Sequence, residues 1–409
     1  MKAITKPVPV NQRIASIDIL RGFALLGIIL VNVLGFNASF FDFGGYYGSL
    51  PDAFQQNFYN IYISLTADKF IFLFSFLFGY GIYMQYRKFS QRGKDFIPFL
   101  SRRMLALGLF GITHILLLWA GDILLSYAVA GFVVMPLLRL STKWQIVIAL
   151  FFYFFIGLWL AIGAWVSLPM NLSSTCTECL EQAKVIYPNG NYIDCFKLRL
   201  LEYAAFRDIN IIYCLPKIIG VVLLGLIASK YNLHQKVATN KLKWNLILIA
   251  VAIIGVISYL GFEKIVDQYL FIFKDSPFTD ALIMSGYEFM SLFVGSTYLL
   301  LLLIIASYKT VAKLLWPIAL MGRMSLTNYI MQSLIMSVIF YGWGFGLFGQ
   351  TNVTSLVLIG IGVYLVQVIL NIIWFRFYNQ GPLEKLWRKV SYKNYINLIP
   401  HLRDDDVRI

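Results

Sequence analysis

Apolar runs of about 20 residues alternate with shorter polar segments along nearly the whole chain. Runs of that length suit helices crossing a hydrocarbon core, whereas barrel strands alternate in polarity over about 10 residues. The pattern predicts about ten spans, at 17–36, 61–86, 103–120, 123–139, 144–167, 209–229, 244–261, 282–306, 317–340 and 353–376. Lipid offers no hydrogen-bond partner to a backbone, and a helix satisfies its own. The expected fold is therefore an all-α, polytopic transmembrane helix bundle.

An even number of spans puts both termini on one side, and the basic residues say which. About 24 Lys and Arg fall in the tails and in the loops on the side of the termini, against about 6 in the alternate loops. The expectation is N-in and C-in. Composition agrees, with 59% hydrophobic residues and 13% charged among 409, and a mean hydropathy of +0.73. The net charge of +14 then reads as a topology signal and an attraction to anionic lipid, not as a nucleic-acid surface. Lys2, Lys6 and Arg13 ahead of the first span read as the flank of an uncleaved anchor. The chain divides into 1–143 (the first four spans), 144–208 (the fifth span and a large outer loop), 209–380 (the remaining spans) and 381–409 (a basic tail).

The outer loop carries "YPNGNY", a turn, and an amphipathic stretch near Phe196 to Phe206 that is expected along the outer interface. Cys176, Cys179 and Cys195 share this loop, and an oxidising outer compartment allows one bridge with one thiol left over. No loop histidine completes a zinc set, so no metal is expected.

Ionisable groups inside spans cost about 3 kcal/mol or more each, so each calls for a partner or a purpose. Asp18 and Arg21 stand three apart on one helical face, and Asn32 returns to that face eleven residues on. They read either as an inner-end pair that fixes the helix or as a line of groups facing a cavity. Arg103 and His114 are also eleven apart, about 16 Å of helical rise. His114 competes with the reading of a satisfied core histidine. Asp122, in the hairpin "AGDILL", offers a carboxylate, but eight residues of helix would separate the two by about 12 Å, which argues against direct pairing. Asp68 and Lys69 are adjacent and cannot face one another, so each reads as meeting another span, with a lysine snorkelling to the interface as the alternative for Lys69. Arg323 sits low in its span, and Ser325, Asn328 and Gln332 line one face above it. Glu288 and Lys217 complete the set, and either suits a counter-ion for another buried charge. The cations Arg21, Arg103 and Arg323 gather toward the inner side, while His114, Asn32, Asp122 and Gln332 lie toward the outer. This layout suits a phosphate-bearing donor held from inside by bidentate guanidinium groups, with proton chemistry near the outer face.

Four stretches, "RIASIDILRGFALLGIILVN", "KFIFLFSFLFGYG", "RRMLALGLFGITHILLLWAGDILLSYAVAG" and "GRMSLTNYIMQSLIMSVIFYGWGFGLFG", with the ending "GPLEKLWRKVSY", resemble the YeiB-like family, whose C-terminal region is domain of unknown function 418. More distantly the chain resembles transmembrane acyltransferases, chiefly in the Asp-x-x-Arg-Gly pattern of the first span. That resemblance implies transfer of an acyl group, acetyl foremost, from cytoplasmic acyl-CoA to a hydroxyl or amine of a small-molecule, sugar or lipid-linked acceptor beyond the membrane. In this reading His114 is the general base, with Asp122 and Asn32 in the catalytic set. Arg21, Arg103, Arg323 and Lys69 hold the donor, and Ser325, Asn328 and Gln332 stabilise the oxyanion. The expected setting is a bacterial plasma membrane, with a homodimer left open. A transporter of an anionic or amphipathic solute is the main rival, and a ligand-sensing scaffold the third reading.

Overall fold

The structure, a computed structural model, describes residues 14–165, 176–272 and 279–392. Most of the N-terminal tail and the end of the basic C-terminal tail thus lie outside the described residues. Helix α1 (Ala15–Asn37) leads through a short α2 (Phe43–Gly48) and α3 (Ala53–Thr66) into α4 (Lys69–Ser90). A hairpin follows, α5 (Ile97–Leu117) and α6 (Leu124–Leu137), then α7 (Thr142–Tyr153) and α8 (Phe155–Trp165). The large loop folds as α9 (Thr177–Asn189) and α10 (Tyr192–Ile209), and a π-helical turn at Asn210–Cys214 opens α11 (Leu215–Lys230). Next come α12 (Leu233–Thr239), α13 (Lys241–Ile272), α14 (Thr279–Ala306), α15 (Lys309–Leu314) and α16 (Trp316–Arg323). The last are α17 (Ser325–Phe340), α18 (Val353–Phe377) and α19 (Pro382–Ser391).

The described residues thus form an all-helical polytopic bundle. Seven helical runs among them are long and apolar enough to cross a membrane, or eight if bent α7 and α8 count as one. Helices α6 and α17 are apolar but shorter, at 14 and 16 residues. Each predicted span coincides with a helical segment, but three contain breaks that hydrophobicity does not reveal. The segment 61–86 breaks before α4, where Asp68 takes a left-handed backbone with φ 64°. The segment 144–167 bends by 58° between α7 and α8. The segment 317–340 is interrupted at Met324, between α16 and α17.

Helix α1 is the hub, packing on α4, α14, α16, α17 and α18. Its approach to α16 is close enough to need glycine on both sides. A Cβ on Gly22 would stand 2.1 Å from the Ile318 carbonyl oxygen, and one on Gly322 only 1.9 Å from that of Asp18. Valine at Gly322 is therefore expected to force α1 and α16 apart, at a cost of about 1–3 kcal/mol or more because backbone atoms are struck. A thermal midpoint in detergent checks this, with Gly362→Ala, where a Cβ meets nothing within 4 Å, as the silent control.

The rim of the bundle is apolar, as lipid requires: Leu105 and Leu109 of α5 are 64% and 65% exposed, and α13 turns Leu246, Ile253 and Ile257 outward. One end of the bundle carries Arg87 and Lys88 at the close of α4, Arg102 and Arg103, and α19. This is the basic end. The opposite end carries α2, α9 and α10.

Helix α10 does more than lie along an interface. Its Tyr192 hydroxyl donates to the Leu117 carbonyl at 2.8 Å and its Arg199 Nη1 to the Leu116 carbonyl at 2.8 Å. Both are carbonyls left over at the end of α5, which a helix terminus cannot satisfy by itself. The "YPNGNY" turn is real, and Asn191 caps α10 by accepting from the N–H groups of Ile193 and Asp194. Cys176 and Cys179 form a disulfide, leaving Cys195 as a buried free thiol.

Candidate functional site

The site begins where α5 stops. The N–H groups of Leu118 and Trp119 both return to the His114 carbonyl, which closes the helix one turn after the imidazole. The chain then reverses, held by Trp119, whose indole stacks on Phe36 at 4.4 Å and whose Nε1 donates to the Gly35 carbonyl of α1 at 3.3 Å. Asp122 lands at the mouth of α6, where its Oδ1 accepts the Leu125 N–H at 2.8 Å. That capping bond aims the other oxygen back at α5, and Asp122 Oδ2 lies 3.0 Å from His114 Nδ1. Gly111 makes the return fit, since a Cβ there would be 2.5 Å from the Leu125 nitrogen. The separation of about 12 Å expected from helical rise is corrected: that estimate continued the helix through Leu118, and the helix ends. Both side chains are fully buried; Nδ1 and Oδ2 are in close contact without forming a hydrogen bond, and His114 Nε2 has no protein partner either. The Tyr329 ring stands against the imidazole, with centroids 5.1 Å apart.

A cavity of about 940 Å³ opens among α1, α4, α5, α6, α16, α17 and α19. Arg21, Arg103 and Arg323 all line it, together with Lys88, Arg92 and Arg388, against the acids Asp18 and Glu384. The sequence placed the three arginines toward one side of the membrane, and the fold brings them to one chamber. Arg21 approaches Asp18 at 3.4 Å, the Arg103 guanidinium lies 3.5 Å over the Trp387 ring, and Arg323 lies over Phe375 at 4.1 Å. Gly322, the neighbour of Arg323, packs against Asp18 and Arg21 of α1, where a Cβ on it would stand 3.0 Å from the Arg21 Cβ. The wall turns apolar along Phe74, Leu77, Phe78 and Leu107 and continues to Ile123, Leu124, Tyr127 and Tyr329. Arg103 lies in the second turn of α5 and Ile123 follows Asp122, so the chamber runs from the basic end to the wall beside the His114–Asp122 pair.

Other predicted residues do different work. Asn328 and Gln332 belong to an amide ladder between α17 and α18. Asn328 and Asn371 exchange side-chain bonds at 3.1 and 2.9 Å, Gln332 Nε2 donates to Gln367 Oε1 at 3.0 Å, and Gln367 donates to the Asn328 carbonyl at 3.1 Å. These bonds hold the two helices together, and neither Asn328 nor Gln332 is among the residues that line the cavity. Ser325 does line the cavity, near the basic end. Asn32 is half-buried on α1 and is not among the cavity-lining residues. Lys69 does not line the cavity either. It is fully buried beside a second polar cluster, in which Lys217 Nζ bridges Asp68 at 3.0 Å and Glu288 at 2.7 Å, with the Lys69 ammonium 5.0 Å from the Tyr287 ring centroid.

Several residues escaped the sequence reading. Gln367 and Asn371, one helical turn apart in an otherwise apolar run, carried a signal that was legible. Glu384 of α19 had no such signal: its Oε1 accepts the Leu326 and Thr327 N–H groups at 2.8 and 3.0 Å, and its Oε2 the Thr327 hydroxyl at 2.6 Å. It thus caps α17 across the break at Met324, as a carboxylate at a helix N-terminus does. Burial pushes this carboxyl above the usual carboxylate range, with those donors pulling it back. At the other end Glu202 ties α10 to the α1–α2 loop and α9, accepting from Ser39 Oγ (2.5 Å), the Phe40 N–H (2.8 Å) and Tyr187 (2.6 Å). Burial raises its pKa also, against the same kind of opposition.

A family model described as Protein of unknown function (DUF418) matches residues 228–394. Uncharacterized protein YxaH of Bacillus subtilis (strain 168) is 29% identical over 418 residues, spanning 95% of this chain and 97% of the relative. Uncharacterized protein YeiB of Escherichia coli (strain K12) is 28% identical over 397 residues, spanning 93% and 97%. The likeness to the YeiB-like family expected from the motifs is borne out. The matched region 228–394 holds Arg323, Ser325, Tyr329 and Glu384, and the near full-length relatives extend the likeness to the α5–α6 hairpin.

Proposed function

We propose that this YeiB-like chain is a membrane-bound acyltransferase, moving a short acyl group, acetyl foremost, from acyl-CoA to a hydroxyl or amine at the opposite face. One observation carries the reading: three arginines widely separated in sequence line a single chamber that ends at the wall in front of a buried His–Asp pair. Arg21, Arg103 and Arg323 hold the donor's phosphates at the basic end, which the positive-inside rule assigns to the cytoplasm of a bacterial plasma membrane. Termini inside, four segments divided at 143, 208 and 380, and an acceptor arriving from the α10 side complete the arrangement.

With Asp122 Oδ2 only 3.0 Å from Nδ1, a proton on Nδ1 is favoured, which leaves Nε2 as the base that takes the acceptor's proton. A hydroxyl ionises far too weakly at neutral pH to attack without such help, and an amine must shed a proton as it is acylated. Because the pair sits at the far end of the chamber, the thioester carbonyl must reach that end, which favours a short acyl group.

Calorimetric titration of purified protein with acetyl-CoA and its dephospho analogue tests the donor site. Saturable binding is expected, weakened about tenfold or more in Arg323→Ala through loss of a charged hydrogen-bond donor. A folded sample that binds neither ligand overturns the reading. The rival is a carrier for an anionic amphiphile using the same cations, and flux of the ligand across proteoliposomes without thioester cleavage would establish it instead.

A further inference from the structure

The chamber contains one hydroxyl that the roles above do not use. Tyr329 lines the chamber, is 3% exposed, and presses its ring against His114. Its hydroxyl lies beside the Ile123 backbone N–H and has no hydrogen-bonded acceptor in the protein. A buried phenol normally finds a partner for its O–H. The neighbouring donors are committed elsewhere. Tyr127 pairs with Ser75 at 3.1 Å, Asn328 and Gln332 are engaged with α18, and Ser325 lies a helical turn away toward the basic end.

We infer that Tyr329 supplies the hydrogen bond that stabilises the oxyanion of the transfer step. The inference rests on the acyl-transfer reading above and names the donor which that reading lacks. The acceptor oxygen or nitrogen attacks the thioester carbonyl carbon and passes its proton to His114 Nε2. The carbonyl π electrons move onto oxygen, and the Tyr329 O–H donates to that oxyanion without giving up its proton. Collapse restores the carbonyl, breaks the carbon–sulfur bond and releases the coenzyme A thiolate, which takes the proton back from the imidazolium. A phenol fixed against the imidazole is aimed before reaction begins, and such preorganised donors account for much of the rate in acyl transfer.

Tyr329→Phe keeps the ring against His114 and the wall of the chamber, and removes only the hydroxyl. The assay uses acetyl-CoA with water as acceptor, free coenzyme A being measured by chromatography from protein in proteoliposomes. Affinity for acetyl-CoA is titrated in parallel. The expected result is affinity within about twofold of wild type and turnover lower by about 100-fold. Wild-type turnover in Tyr329→Phe, with wild type itself active, overturns the inference and leaves the acyltransferase reading standing. Loss of affinity in proportion to turnover also overturns it, since the hydroxyl would then be a binding contact. A wild-type protein that neither binds nor cleaves acetyl-CoA removes the acyltransferase reading and this inference with it.

Discussion

Alanine in place of His114 is expected to slow thioester cleavage by about 10²–10⁴-fold, with affinity for acetyl-CoA nearly unchanged. The split follows from position. The imidazole stands against the Tyr329 ring and away from the arginines, so the donor's phosphates, held about 16 Å of helical rise away, do not sense its loss. Asp122→Asn should cost less than His114→Ala, because the amide still caps α6 through the Leu125 N–H but no longer favours the tautomer with Nε2 free. Turnover measured at saturating donor, beside a titration for affinity, separates the two effects. If His114→Ala turns over at the wild-type rate, the histidine is a packing residue and the base must be sought elsewhere.

The largest expected effect on stability lies in the other polar cluster. Lys217 is, among the described residues, the one cation in direct contact with both Asp68 and Glu288, at 3.0 and 2.7 Å, and its side chain is 10% exposed. Methionine there removes the shared counter-ion and leaves two carboxylates facing each other in a poorly solvated interior. Breaking a buried pair in this way costs about 3–5 kcal/mol. A marked drop in the thermal midpoint, or loss of the protein from the membrane fraction, is the expected result. The triple substitution Lys217→Met, Asp68→Asn, Glu288→Gln should recover most of it, because the penalty comes from uncompensated charge and not from the missing lysine itself. A single Lys217→Met variant as stable as wild type would contradict the close contacts. Donor affinity is expected to be insensitive to this cluster, none of whose members lines the cavity.

Much of the site was legible one residue at a time. An arginine in an apolar run stands out because charge in lipid demands a reason, and Arg21, Arg103 and Arg323 were found on that ground alone. The same logic singles out Lys69, which the fold buries away from the cavity, since rarity marks a cation in an apolar run but not where it ends up. Asn328 and Gln332 illustrate a second limit. A polar stripe on a helix predicts a polar neighbour, and whether that neighbour is a ligand or the amides of α18 depends on which helix packs there. Glu384 and Arg199 were out of reach, because each meets helix termini distant in sequence, and nothing in local pattern marks a carbonyl or N–H group as lacking a partner.

The sequence alone determined the class of fold and the position of each apolar segment, because burial of hydrocarbon and closure of backbone hydrogen bonds act over about 20 consecutive residues. It also placed the cations near one side, since the positive-inside bias is read in local charge counts. Tertiary structure decided where those segments break, as at Asp68, Phe154 and Met324, and which polar groups meet. The pairing of His114 with Asp122 turned on a helix ending at Leu117 and on a tryptophan anchored to α1. Those are contacts between distant segments, whose energies depend on packing in three dimensions and leave no periodicity in the chain.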